Sequence, residues 1–76
     1  SNRDGDFRIG FWGDDKDTIN KYETAKFEGP AEDGSAMLYS GKVAGNDAYI
    51  VYYFDAAGKL YRGVYGLTSI LPPMKH

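Results

Sequence analysis

The stretch Ala48-Tyr49-Ile50-Val51-Tyr52-Tyr53-Phe54-Asp55-Ala56-Ala57-Gly58-Lys59-Leu60-Tyr61-Arg62-Gly63-Val64-Tyr65 decides the fold. Two runs rich in β-branched and aromatic residues flank a short polar segment that carries a glycine, which is the pattern of an antiparallel hairpin. Moving outward toward the start of the chain, residues 36–43 form a third such run, divided from 48–54 by Gly45-Asn46. Strands over 36–43, 48–54 and 60–67 therefore predict a meander.

The turns predict the pairing. A type I turn after Asp55, with Gly58 in the left-handed region, sets Asp55 opposite Lys59 and Phe54 opposite Leu60. Continuing evenly, Tyr53 faces Tyr61, Tyr52 faces Arg62, Ile50 faces Val64 and Tyr49 faces Tyr65. With Gly45-Asn46 as the other loop, Val43 faces Ala48, Tyr39 faces Tyr52 and Met37 faces Phe54. Both registers sort the residues into the same two faces. One face holds Met37, Tyr39, Val43, Ala48, Ile50, Tyr52, Phe54, Leu60 and Val64, with Arg62 as a polar intrusion; this is the expected core. The other holds Leu38, Ser40, Lys42, Tyr49, Val51, Tyr53, Tyr61, Tyr65 and Leu67. A slip of one residue would exchange the sets.

Upstream, Phe7, Ile9 and Phe11 alternate with Arg8 and Gly10, which suggests a short extended segment. Trp12 is expected to plug the core where the helix begins. Asp14 or Asp15 is placed to cap a helix over 15–24, with Asp17 in its first turn. Its inward stripe is Ile19 and Tyr22, extended by Ala25. Glu28-Gly29-Pro30 is expected to stop that helix, with a loop over 31–35. The predicted class is α+β: one short N-terminal helix packed on one face of a three-stranded, or four-stranded, antiparallel meander. Residues 1–6 read as a frayed start or cloning remnant, 7–71 as one domain and 72–76 as a tail after Pro72-Pro73.

Composition narrows the function. The chain has 76 residues, nine basic and eleven acidic, for a net charge of -2. That leaves no basic field for nucleic acid. Cysteine is absent, and His76 is the single histidine. Disulfides, thiolate metal sites and triads built on an internal histidine are thereby excluded. The acidic pairs Asp14-Asp15 and Glu32-Asp33 lack the spacing of a calcium loop and read as solvated charge. No catalytic residue, metal ligand or cofactor is expected, and no run reaches the ~20 apolar residues of a membrane span. The chain departs from the average in its aromatics: seven tyrosines, four phenylalanines and one tryptophan.

A single short helix covers one side of the sheet only. The other side, with Tyr49, Tyr53, Tyr61 and Tyr65 as anchors, Val51 and Leu38 between them and Lys42 at the rim, is the expected partner-binding surface. Two plainer uses of those tyrosines stand beside it: cross-strand stabilisation of a solvated face, and packing against a second copy.

Phe11-Trp12-Gly13 before an acidic-capped helix, Leu38-Tyr39-Ser40-Gly41-Lys42-Val43, the tyrosine-rich strand 48–54 and Gly58-Lys59-Leu60-Tyr61-Arg62-Gly63 carry a family likeness. The pattern resembles the small bacterial envelope modules of beta-lactamase-inhibitor-protein or SmpA/OmlA (BamE-like) architecture. The resemblance implies an extracytoplasmic, non-catalytic module working by protein contact, with a lipid anchor upstream in many relatives. It also implies an aromatic sheet face, away from the helices, as the gripping surface. One helix in place of the family's usual two, and length for one unit in place of a tandem, make lactamase inhibition itself the lesser expectation.

Overall fold

A computed structural model describes residues 3–67 of the chain. The order of elements is α1 (Lys16–Tyr22), β1 (Lys26–Ala31), a single 3-10 turn (Glu32–Gly34), β2 (Ala36–Val43), β3 (Asn46–Phe54) and β4 (Leu60–Leu67). The four strands form one antiparallel sheet in the order β1-β2-β3-β4. The expected strand end near Leu71, and the tail with Pro72 and Pro73, lie outside the described residues.

α1 begins where the acidic cap was expected. The Asp15 carboxylate accepts from the Thr18 backbone N–H, and Asp17 lies in the first turn. The helix stops two residues short of expectation because Glu23 leaves helical geometry. The chain then runs straight into β1, across the segment expected to end in a loop. Pro30 is tolerated there because β1 is an outer strand, where a missing N–H need not break a ladder. A bulge between Phe27 and Gly29 absorbs the irregularity.

The β2–β3 turn uses Ala44-Gly45, one residue earlier than expected. Both have positive φ, 50° and 82°, as the tight primed hairpin turn requires. Tyr39 consequently pairs with Ile50, and Met37 with Tyr52. This moves the expected register by two residues, so the faces survive.

The β3–β4 hairpin departs from expectation in a way that matters more. Its loop is as expected: Gly58 has φ 79°, and the Asp55 N–H donates to the Lys59 carbonyl. Phe54 pairs with Leu60. One residue then bulges out at Tyr61, and Tyr53 pairs with Arg62, Val51 with Val64, Ile50 with Tyr65. The expected pairs Tyr53–Tyr61 and Tyr49–Tyr65 do not form. A one-residue shift exchanges faces for everything that follows, so Arg62 and Val64 leave the core side and Tyr65 joins it.

The core lies on one side of the sheet. Met37, Tyr39, Ile50, Tyr52, Phe54 and Leu60 cluster there with Ile19 of α1, and Phe7, Ile9, Ala25 and Val43 pack around them. Full burial of an aliphatic or aromatic side chain of this size is worth about 1.5–3 kcal/mol. Trp12, expected as the plug, is 51% exposed. Phe7 takes that place, its ring edge-on to Tyr52 at 5.3 Å and tilted against Tyr65 at 4.8 Å. Tyr22, expected on the inward stripe, is partly exposed, and Arg3 lies over both its ring and that of Phe11.

Residues 3–6 make defined contacts. Arg3 pairs with Asp14 at 3.1 Å, the Gly5 N–H donates to Arg8, and Asp6 accepts from the Trp12 backbone N–H.

Candidate functional site

The sheet's second face is built from rows that cross all four strands. The central row is Gly29, Leu38, Val51 and Val64. On one side of it run Ala31, Ala36, Tyr53 and Arg62, and on the other Lys26, Ser40, Tyr49 and Gly66. Leu38, Val51, Val64, Tyr49 and Tyr53 are each part-exposed. An aliphatic band therefore lies between two tyrosines carried by the same strand.

Charge sits at the ends of this surface. Lys42 pairs with Asp47 at 2.9 Å across the β2–β3 hairpin. At the other end the Arg62 guanidinium stacks over the Tyr53 ring, 4.8 Å from its centroid. Such a contact at an exposed site contributes about 0.5–1 kcal/mol and holds the ring in one orientation. Ser40 donates its hydroxyl to Glu28, which reaches across from the β1 bulge.

Five of the seven residues expected to form the partner surface are thus brought together: Leu38, Lys42, Tyr49, Val51 and Tyr53. Tyr61 sits in the bulge, 56% exposed, at the outer strand. Tyr65 is the correction: it lies on the core side against Phe7. Sequence reasoning missed Val64 and Arg62 on this surface, because both depend on the bulge. The one signal for it was Gly63. A Cβ there would meet the Phe7 ring at 2.1 Å, so the glycine marks the face on which an aromatic must sit down.

The opposite side carries the buried polar chemistry. The Glu23 side chain is fully buried. One of its oxygens accepts from Arg8 Nε at 2.6 Å and from the Tyr52 hydroxyl at 2.6 Å. The other accepts from Arg8 Nη2 at 2.8 Å and from the Ala25 N–H at 2.9 Å. Burial alone would raise the Glu23 pKa; the bonds from Arg8, Tyr52 and Ala25 outweigh it and hold the carboxyl below its ordinary value. Burial, reinforced by the bond to Glu23, pushes the Tyr52 hydroxyl well above the usual phenol range. Burial also pushes Tyr39 up to about 12, with the Glu23 charge adding to it. A carboxylate with every acceptor direction committed serves to tie segments together.

A shallow cleft of about 240 Å³ lies beside α1, lined by Lys16, Asn20, Phe27, Pro30 and Met37 among others. Two of its polar side chains are already engaged: Lys16 donates to the Gly34 carbonyl and Asn20 accepts from Tyr39. Among the described residues no group of three His, Asp or Glu is arranged to hold a metal ion. No described helix is long and apolar enough to cross a membrane.

Comparison with protein-family models, with curated proteins and with solved structures finds no match for this chain.

Proposed function

We propose that the chain is a non-catalytic protein-binding module of the bacterial cell envelope, and that its contact surface is the tyrosine-flanked sheet face. In this reading α1 and the N-terminal segment form a backing layer on one face only, and the other face is presented to the partner. The observation that carries it is the row Leu38, Val51, Val64 between Tyr49 and Tyr53, an apolar band with none of the core-packing residues Phe7, Ile9, Ile19 or Ala25 on its side. Tyrosine and arginine around an aliphatic centre is the composition of a binding hot spot. The extracytoplasmic setting rests on the resemblance to envelope modules.

The test compares the wild-type chain with a Tyr49→Ser, Val51→Lys, Tyr53→Ser variant whose fold is checked by circular dichroism. Cross-linking in an envelope fraction, followed by mass spectrometry, is expected to recover a defined partner with the wild type and to lose it with the variant. Identical recovery from both defeats this surface. A second reading, self-association, is favoured by the state of the outer strand β4.

A further inference from the structure

The two outer strands are finished differently. β1 carries Pro30, the bulge at Glu28 and an exposed Lys26, all of which hinder addition of a further strand. β4 from Tyr61 to Leu67 has no proline and a single charge, Arg62.

Which backbone groups of β4 face outward follows from the Ala44-Gly45 turn. In a two-residue hairpin the flanking pair, here Val43 and Asn46, exchanges hydrogen bonds, and bonded and non-bonded pairs then alternate. Ala48, Ile50 and Tyr52 therefore address β2, while Tyr49, Val51 and Tyr53 address β4. The β4 partners of that second set, Gly66, Val64 and Arg62, are turned inward. Gly63, Tyr65 and Leu67 direct their N–H and C=O groups to the outside. Leu60 also faces outward and is already bonded to Gly13 and Asp14. Among the described residues nothing bonds the other three from beyond the sheet.

We propose that this edge pairs antiparallel with the same edge of a second copy, about a two-fold axis at Val64. Gly63 then faces Tyr65 of the second copy, and Tyr65 faces its Gly63, so both outward pairs exchange their backbone bonds. Three features favour a second copy over any other strand. Val64 meets Val64, which joins the two Leu38-Val51-Val64 rows into one band across both sheets. Arg62 lands opposite Gly66, so the one charge on the strand never meets itself. Tyr65, 44% exposed, comes beside the glycine on which Phe7 of the second copy sits, and finds an aromatic neighbour. The hindered β1 edge closes the assembly at two copies.

This inference does not rest on the sheet-face reading. A chain that stays monomeric yet captures an envelope protein defeats this one and leaves that one standing.

The absence of cysteine makes the test direct. Val64→Cys and Lys42→Cys variants are oxidised at equal concentration. A non-bonded antiparallel pair sets its Cα atoms about 4.5 Å apart, within disulfide reach. Val64→Cys is expected to form covalent dimer at least roughly tenfold faster than Lys42→Cys. Sedimentation over a concentration series is expected to show a monomer–dimer equilibrium for the wild type. Tyr65→Pro removes one outward N–H without touching the β3 ladder, and is expected to weaken that equilibrium by about tenfold relative to Tyr65→Ala. If Tyr65→Pro does not fold, the cysteine pair decides. Equal cross-linking of the two cysteine variants, or a wild type monomeric up to millimolar concentration, overturns the proposal.

Discussion

The ring of Phe7 occupies the space that a side chain on Gly63 would need: a Cβ there would stand 2.1 Å from two of its atoms. The N-terminal segment therefore depends on a glycine in the last described strand.

Gly63→Ala should displace Phe7 and cost about 1–3 kcal/mol in a denaturant titration, the usual range for overpacking. In a Phe7→Ala background the same substitution should cost far less. Equal costs in both backgrounds would show that the two positions are not coupled.

Trp12 and Phe7 should behave oppositely to what their sizes suggest. Trp12→Ala is expected to change stability by under about 0.5 kcal/mol, as a surface substitution does. Its indole fluorescence should show the emission of a hydrated ring and be open to acrylamide quenching. Phe7→Ala should cost about 3 kcal/mol, the low end for a phenylalanine, because Phe7 is part-buried.

The Glu23 carboxyl, held below its ordinary value, should set the acid limb of stability. Its contribution is complete above the unfolded value near 4.5 and is lost as pH falls through the lowered folded value. Denaturant midpoints should accordingly be level at neutral pH and fall below about pH 4.5. Glu23→Gln should cost about 2–4 kcal/mol at neutral pH, because Arg8 loses its charged partner, and should flatten the acid limb. A full acid limb in that variant would assign it to other carboxylates.

The alkaline limb has the opposite sign. Tyr39 and Tyr52 are raised in the folded chain, so the stability they contribute is complete below the unfolded value of 10.0 and is lost as pH rises through their folded values. Midpoints measured from about pH 9 upward should fall once unfolded phenols ionise. Tyr52→Phe should cost about 1 kcal/mol at neutral pH and shrink that fall. An unchanged alkaline limb would exclude Tyr52 as its source.

Ala44 adopts φ 50°, a conformation that a side chain disfavours. Ala44→Gly or Ala44→Asn should raise stability by about 0.5–1 kcal/mol, seen as a higher midpoint with unchanged slope. A loss would mean that the turn is not of the primed kind.

The meander was legible because its signals are local. The alternation in 36–43 and 48–54 sets the faces, and a turn misplaced by one residue moved the register by two, leaving Tyr39, Ile50 and Tyr52 on the core side. The bulge at Tyr61 was not legible, because no local pattern separates it from even pairing. It follows from contacts distant in sequence: Leu60 bonded to Gly13 and Asp14, and Phe7 seated on Gly63. For that reason Tyr65 lies on the face opposite to the expected one, and Val64 and Arg62 belong to the candidate surface without a local signal for it. Gly29 and Pro30 disfavour both helix and inner strand, so they mark a stop in the sequence, whereas an outer strand accepts both. Arg8 and Glu23 carried no mark at all, since a charged pair fifteen residues apart declares nothing until the chain folds.

Glu23 gathers donors from Arg8, Ala25 and Tyr52 onto one carboxylate. Ladder and leading segment should therefore exchange with solvent as one cooperative unit. Amide protons of Gly10 and Gly13 should be released with those of mid-strand Ile50, through global opening and not by peeling from the end.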